Sequence, residues 1–207
     1  FGSGGQAANQ LWALKSERPS IGHVKVYSRD PENRRVFAET YGPKFDIDIV
    51  PVDTPDVLLD DVDVVLCATN TNVELFDGNR LVAGQHVTGI IGGNKQLVQG
   101  GFLKKSRREI DDNTAVRSDV IVTNLKESMV SEEQGDLFGP VQAGLIDIGD
   151  VYELGDLATG SHPGRTSSEQ ITYHKNNNGT GASEMAIAMT AYRRACEEGR
   201  GTEIDLT

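Results

Sequence analysis

Short apolar runs alternate with longer amphipathic stretches along the chain, and this pattern predicts strands separated by helices. Residues 23–28 are rich in β-branched side chains, and residues 46–50 alternate between apolar and polar positions as a half-buried strand does. Residues 62–68 are almost continuously apolar, which is typical of a strand covered on both faces. The other predicted strands are residues 86–91, 119–123 and 170–174.

The stretches between these strands have helical signals. Asp30 is a predicted N-cap, and Pro31 suits the first position of a helix. Together they predict a helix that runs from Pro31 to about Tyr41. Further helices are predicted at residues 6–17, from residue 54, within the polar stretch 96–113 and at residues 182–198. Strands with such crossovers predict an α/β fold with a doubly wound parallel sheet of the Rossmann type. We assign residues 1–181 to this domain and residues 182–207 to a C-terminal helix and tail.

A glycine-rich turn precedes the first predicted helix and fits the dinucleotide-binding fingerprint in its alanine-ending form. The glycine turn consists of Gly2, Ser3, Gly4, Gly5, Gln6 and Ala7. Its first glycine permits a tight turn, the second lets the backbone approach a pyrophosphate, and the small last residue lets the helix pack closely on the sheet. The following helix would direct its N-terminal amides at the phosphates. A plain loop is the alternative interpretation. Such a turn normally follows a buried strand, so we expect a strand ahead of Phe1.

The end of the strand at residues 23–28 is the expected ribose-binding position, because it lies about 20 residues after the glycine turn. An acidic residue at this position favours NAD, but the sequence has Ser28 followed by Arg29. The guanidinium of Arg29 could meet a 2′-phosphate, which favours NADP. Asp30 could instead reach the ribose, or simply cap the next helix. The cofactor is therefore expected to be NAD or NADP, with NADP slightly favoured.

Composition narrows the partners further. A net charge of −11 argues against nucleic acid and anionic membranes, because phosphate binding relies on basic patches. The chain has two cysteines and no metal-ligand spacing, so we expect no metal, no disulfide and a cytoplasmic location. No stretch approaches the roughly 20 apolar residues that cross a bilayer.

Several motifs, in the correct order, resemble the ornithine cyclodeaminase/mu-crystallin family. In that family Gln-Ala regularly follows the glycine pair, as Gln6 and Ala7 do here. Ala68, Thr69 and Asn70 resemble its Ala-Thr stretch near the cofactor. The other matching segments are residues 84–87, 108–111, 153–157 and 160–165.

The resemblance implies an NAD(P)-dependent enzyme that acts on a small amino or imino acid, as a ketimine or cyclic-imine reductase, an amino-acid dehydrogenase or a cyclodeaminase. It also implies a homodimer when complete, with a separate domain that carries the substrate-binding arginine and a catalytic lysine. Neither group is recognised here, so we expect this chain alone to be inactive. The alternative is an NAD(P)H-binding protein with little catalysis, like the crystallins.

Two positions depart from the family pattern. Asn94 stands where the family's proton-transferring aspartate is expected, shortly after Gly92, which the resemblance places near the cofactor. An amide cannot exchange a proton as a carboxylate does, so the departure favours an imine reductase over a cyclodeaminase. A simple turn role for Asn94 remains the alternative.

The second departure lies at residues 173–181, where the family usually has Phe-Lys-Ser. Lys175 fits the family lysine and is predicted to contact the cofactor's phosphate or nicotinamide. The Asn- and Gly-rich run that follows could close over a cofactor, or could be an ordinary surface turn.

Overall fold

The computed structural model describes residues 1–176, 181–202 and 204, and divides the chain into two compact units, Phe1–Asn177 and Asn178–Thr207. The strands are β1 (His23–Val26), β2 (Asp48–Pro51), β3 (Val64–Cys67), β4 (His86–Gly89), β5 (Val120–Thr123), β6 (Val151–Glu153) and β7 (Thr172–Lys175). The helices are α1 (Gly5–Glu17), α2 (Pro31–Phe45), α3 (Lys95–Gln99), α4 (Asp112–Arg117), α5 (Lys126–Ser131), α6 (Gly135–Gln142), α7 (Leu154–Thr159) and α8 (Gly181–Glu197). The asparagine- and glycine-rich run at residues 177–180 lies outside the described residues.

Every described strand pair is parallel. A two-stranded sheet pairs β1 with β2, and a five-stranded sheet has the order β3-β4-β7-β5-β6. The late strand β7 inserts between β4 and β5 and aligns Tyr173 with both Val87 and Ile121. Parallel strands joined by helical crossovers confirm the predicted α/β class.

The first two residues connect the two sheets where the sequence predicts a strand ahead of the glycine turn. The amino group of Phe1 donates to the carbonyl of Leu66 at 2.7 Å, and the amide of Ala68 donates to the carbonyl of Phe1 at 2.9 Å. The amide of Gly2 donates to the carbonyl of Tyr27 at 2.8 Å. Phe1 and Gly2 therefore bring the carboxyl ends of β1 and β3 together. Between these strands lies a groove of about 370 Å³.

Two apolar clusters of buried residues pack against the strands. The larger includes Val87, Ile121 and Tyr173, which belong to the three central strands of the five-stranded sheet. The smaller packs Ala7, Ala8 and other residues of α1 against β1, β2 and the ends of β3 and β4. The small residues that open α1 therefore allow it to lie close to the strand ends, as the fingerprint requires.

The structure differs from the sequence expectations mainly after residue 123. Helices α5, α6 and α7 and strand β6 were not predicted, because these elements are only three to eight residues long and show little periodicity. Helix α2 also continues past the predicted end at Tyr41 to Phe45, although it contains Pro43. It ends at Asp46, whose φ of 53° is left-handed.

The second unit consists of α8 and the residues after it. Helix α8 has 17 residues and agrees with the predicted helix at residues 182–198 to within one residue at each end. Helical spacing places Met185, Met189 and Tyr192 along one stripe of its surface.

Candidate dinucleotide-binding site

The glycine turn leads directly into α1 at the carboxyl ends of β1 and β3. Gly2 has a φ of 102°, and a Cβ at this position would lie 2.3 Å from the carbonyl oxygen of Ala68. Only glycine fits here, because both the conformation and the close approach exclude a side chain. A Cβ at Gly4 or Gly5 would meet nothing within 4 Å. These two glycines therefore border open space rather than protein.

Helix α1 begins without a capping side chain among the described residues. Gly4 is the N-cap, and Gly4, Gly5 and Gln6 are all exposed. The first amides of a helix have no intrahelical acceptor, and together with the helix dipole they attract anions. The turn thus leaves amides open to an anionic group beside the strand ends.

The predicted ribose-binding residues follow β1 as expected. They differ in whether their side chains already make hydrogen bonds within the protein. The carboxylate of Asp30 accepts from the amide of Glu32 at 2.9 Å, so it caps α2. The hydroxyl of Ser28 donates to the carbonyl of Asp30 at 3.1 Å. Arg29 is exposed. Of the two alternatives for Asp30, the cap is the one that the structure displays.

Arg34 also shapes this position, although the sequence analysis did not single it out. Its side chain is only 8% exposed, donates to the carbonyl of Ser28 at 3.1 Å and pairs with Asp53 at 2.6 Å. Its guanidinium also lies 5.5 Å from the centre of the Tyr27 ring. Arg34 fixes the backbone from which Arg29 projects. An arginine four residues into a helix gives no sequence signal for this role, because its ion-pair partner Asp53 follows 19 residues later.

The segment after β3 lies beside the glycine turn. Ala68 is buried and bonded to Phe1, as described above, while Asn70 is exposed. The amide and hydroxyl of Thr69 both donate to one carboxylate oxygen of Glu109, at 3.0 and 2.9 Å. The structure therefore brings Ala68, Thr69 and Asn70 to the same edge as the glycine turn.

Three charged residues with no exposed surface lie beneath this edge, and we call Glu109, Asp136 and Lys175 the buried charge cluster. Glu109 accepts from the amides of Ile90 and Ile91 at 2.8 and 3.0 Å, in addition to its bonds with Thr69. Asp136 accepts from the amide of Glu109 at 2.9 Å and forms an ion pair with the ammonium of Lys175, also at 2.9 Å. Sequence reasoning assigned no role to Glu109 or Asp136.

Lys175, which the sequence predicts to contact the cofactor, lies below the strand ends. Its ammonium is fully buried and bonds to Asp136 and to the carbonyl of Ile91. Burial of an unpaired ammonium is costly, and this ion pair offsets that cost. The side chain of Lys175 therefore belongs to the core below the strand ends.

Gly92 and Asn94 lie in the loop that follows β4. Gly92 is exposed, and a Cβ there would meet nothing within 4 Å. Asn94 has a left-handed backbone with a φ of 58°, and its side-chain amide donates to the carbonyl of Gly92 at 2.9 Å. Asparagine tolerates this conformation better than most residues, so the geometry suits a turn.

Two histidines on the central strands are neutral at neutral pH. Burial lowers the pKa of His174 to about 4, with a smaller contribution from Lys175. Burial likewise lowers the pKa of His86 to about 4, helped by His174 and Arg165. His174 bonds through Nε2 to the side-chain oxygen of Asn124 at 2.9 Å, and His86 bonds to the hydroxyl of Thr172 at 2.7 Å.

The described residues give no support for a metal site, a reactive cysteine or a membrane-spanning helix. They contain no group of three or more histidine, cysteine or acidic side chains placed to hold a metal ion. Burial raises the pKa of the Cys67 thiol, which disfavours its reactive thiolate. None of the described helices combines the length and the apolar character that crossing a membrane requires.

A parallel α/β fold with a glycine turn at its strand ends defines the class of doubly wound, Rossmann-type domains. More specifically, the chain belongs to the ornithine cyclodeaminase/mu-crystallin family, because the sequence model of that family matches residues 1–199. The predicted family is thereby confirmed.

Individual relatives agree with this membership. The chain is 28% identical to a Delta(1)-pyrroline-2-carboxylate reductase of Bacillus cereus over 206 residues, covering 99% of this chain and 59% of the relative. It is 30% identical to Protein SAR DEFICIENT 4 of Arabidopsis thaliana, covering 92% and 56%. The structure of the Thermococcus litoralis Delta(1)-pyrroline-2-carboxylate reductase in complex with NADH and L-proline superposes with a TM-score of 0.86 at 29% identity, covering 98% and 59%. The chain thus spans about three-fifths of the length of these relatives.

Proposed function

We propose that this chain is the dinucleotide-binding part of an NAD(P)-dependent enzyme that acts on a small amino or imino acid. The observation that carries the proposal is the glycine turn, which opens an uncapped helix between the ends of β1 and β3. The reductase of T. litoralis, which has this fold, is in complex with NADH and L-proline.

In this proposal, different segments at the carboxyl ends of the strands bind different parts of the dinucleotide. The glycine turn binds the pyrophosphate through the amides at the start of α1, and the open space at Gly4 admits the phosphate oxygens. The segments Ala68–Asn70 and Ile91–Gly92 form the surface next to the nicotinamide end. The bound cofactor supplies or accepts a hydride, and the protein's part is to hold it in place and exclude water.

The end of β1 determines the choice between NAD and NADP. Ser28, at the predicted ribose-binding position, has no charge to repel a 2′-phosphate, and the carboxylate of Asp30 caps α2. Exposed Arg29 offers that phosphate a cation, on a backbone held by Arg34. We therefore propose that the site accepts both dinucleotides and slightly prefers NADP(H).

Reduction of a cyclic imino acid is the reaction we favour. Two of the relatives described above are named Delta(1)-pyrroline-2-carboxylate reductase. Asn94 also fits a reductase, because its amide is held by Gly92 and cannot take up and release a proton as the aspartate of a cyclodeaminase would.

Asn94 also supports a second candidate, a crystallin-like protein that binds NAD(P)H with little catalysis. This candidate shares the dinucleotide site and differs only in turnover.

We further propose that the complete protein is a cytoplasmic homodimer, in which residues 1–181 form the cofactor domain and residues 182–207 extend toward a substrate domain. This chain by itself is then expected to bind the cofactor without turning over substrate.

Fluorescence titration with NADH and NADPH tests the cofactor assignment, and Trp12 is a suitable reporter because it lies on α1 and is 59% exposed. We expect saturable binding of both, and absence of binding would contradict both candidates. A longer form of the protein is then assayed with Delta(1)-pyrroline-2-carboxylate, with pyruvate plus ammonia and with ornithine. Turnover of the first supports the reductase, whereas binding without turnover of any supports the crystallin-like candidate.

A further inference from the structure

Glu109 bonds to the ends of two strands at once. One of its carboxylate oxygens accepts from the amide and hydroxyl of Thr69, which follows β3. The other oxygen accepts from the amides of Ile90 and Ile91, which follow β4. All four donors are neutral, and the side chain has no exposed surface.

A carboxylate is needed at this point because the strand ladder ends there. The paired register of β3 and β4 runs only to Cys67 and Gly89. The amide of Ile90 also donates to the carbonyl of Cys67 at 3.2 Å. Beyond this bond, the amides of Thr69 and Ile91 need an acceptor that can reach both segments. An apolar side chain in place of Glu109 would take this acceptor away from the amides of Thr69 and Ile91, which is more costly than forming the bonds is favourable.

The rest of the buried charge cluster holds Glu109 itself. Asp136 accepts from the amides of Glu109 and Ile110 at 2.9 and 3.2 Å. Lys175, the last residue of β7, joins Asp136 to the carbonyl of Ile91. Three strand ends are thus tied to one buried network, and a change in Glu109 is transmitted to the loops after β3 and β4.

We propose that Glu109 is a positioning residue that holds the segments after β3 and β4 in the geometry required for dinucleotide binding. This inference rests on the proposed function, because those segments carry Ala68, Asn70 and Gly92 of the proposed cofactor surface. Glu109 acts through Thr69, Ile90 and Ile91, since its own side chain is fully buried.

The test is the variant Glu109→Gln, which keeps the size of the side chain but turns an NH₂ group toward amide donors. We expect the Kd for NADH to rise by about tenfold to hundredfold. In the absence of dinucleotide, hydrogen exchange at the amides of Thr69, Ile90 and Ile91 should become faster. The matched control is Val151→Ala, which removes buried volume in β6, a strand that pairs with β5 rather than with β3 or β4. The control should leave the Kd within about twofold.

Both variants are compared when fully folded by circular dichroism, with sucrose added to favour the compact state. If Glu109→Gln binds NADH like the control, the positioning role is overturned while the proposed function stands. If exchange accelerates equally across the whole domain, Glu109 contributes only general stability and the inference is again overturned. If the unaltered chain binds neither NADH nor NADPH, the proposed function fails and this inference fails with it.

Discussion

The glycine turn and the buried charge cluster lie at the same edge of the sheet, but they are built in opposite ways. The turn is made of backbone, is partly exposed and has no capping side chain among the described residues. The cluster is made of three fully buried charged side chains that bond to one another and to strand ends. Ala68 and Thr69 connect the two regions, because the first bonds to Phe1 and the second to Glu109.

The comparison indicates that the turn is suited to bind the ligand, whereas the cluster holds the protein's own backbone in place. Open amides are available to a ligand, whereas the bonds of the cluster are all made within the protein. Substitutions in the turn should therefore affect either folding or binding, depending on what each residue faces, and substitutions in the buried charge cluster should affect the two together.

The largest effect is expected for Gly2→Ala, because a Cβ would lie 2.3 Å from the carbonyl oxygen of Ala68 at a φ of 102°. The free energy of unfolding should fall by about 3 kcal/mol or more. Urea unfolding followed by circular dichroism measures it. Gly5→Ala is the control, because a Cβ there meets nothing within 4 Å. Equal stability of the two variants would contradict the close approach at Gly2.

Gly4→Ala should separate binding from folding. Nothing in the protein lies within 4 Å of a Cβ at Gly4, so stability should change by less than about 0.5 kcal/mol. If the pyrophosphate occupies that space, the Kd for NADH should rise by about tenfold or more. Gly155→Ala is the control, since it also meets nothing within 4 Å and lies in α7. An unchanged Kd for Gly4→Ala would place the phosphate elsewhere.

Acid should destabilise the five-stranded sheet through its histidines. Burial lowers the pKa of both His86 and His174 to about 4, below the usual 6.5. Between these values the unfolded chain binds protons that the folded chain does not, so the free energy of unfolding falls as the pH falls from 6.5 to 4. Each pKa unit corresponds to about 1.4 kcal/mol.

The variant His174→Gln tests this origin of the pH dependence. Glutamine retains a donor for Asn124 but does not titrate, so the loss of stability between pH 6.5 and 4 should become smaller by roughly half. Urea unfolding at a series of pH values measures it. A slope identical to that of the unaltered chain would exclude His174 as a source.

The smallest effect is expected for Arg29→Ala, because Arg29 is exposed and solvent screens its charge. The Kd for NADPH should rise by about fivefold, while the Kd for NADH stays nearly constant. Parallel titrations at low salt measure both, and Arg18→Ala provides a control for the loss of one exposed positive charge. Equal changes for the two dinucleotides would show that Arg29 does not distinguish them.

The same comparison explains what the sequence could predict. The fold class and the glycine turn follow from local patterns, namely apolar runs with helical crossovers and a fingerprint of six consecutive residues. Glu109, Asp136 and Lys175 are 27 and 39 residues apart along the chain, and only folding brings them together. No local pattern distinguishes these side chains from solvated ones. For that reason Glu109 and Asp136 receive no role from the sequence, and the predicted role of Lys175 depends on the family resemblance alone.

The direct test of the central claim is amide mapping by NMR on the isotopically labelled chain during titration with NADH. We predict that the largest chemical-shift changes occur at the amides of Ser3 to Gln6, with further changes at Ala68 to Asn70. Binding that leaves the amides of the glycine turn unshifted, or no binding at all, would contradict the claim that the start of α1 holds the pyrophosphate.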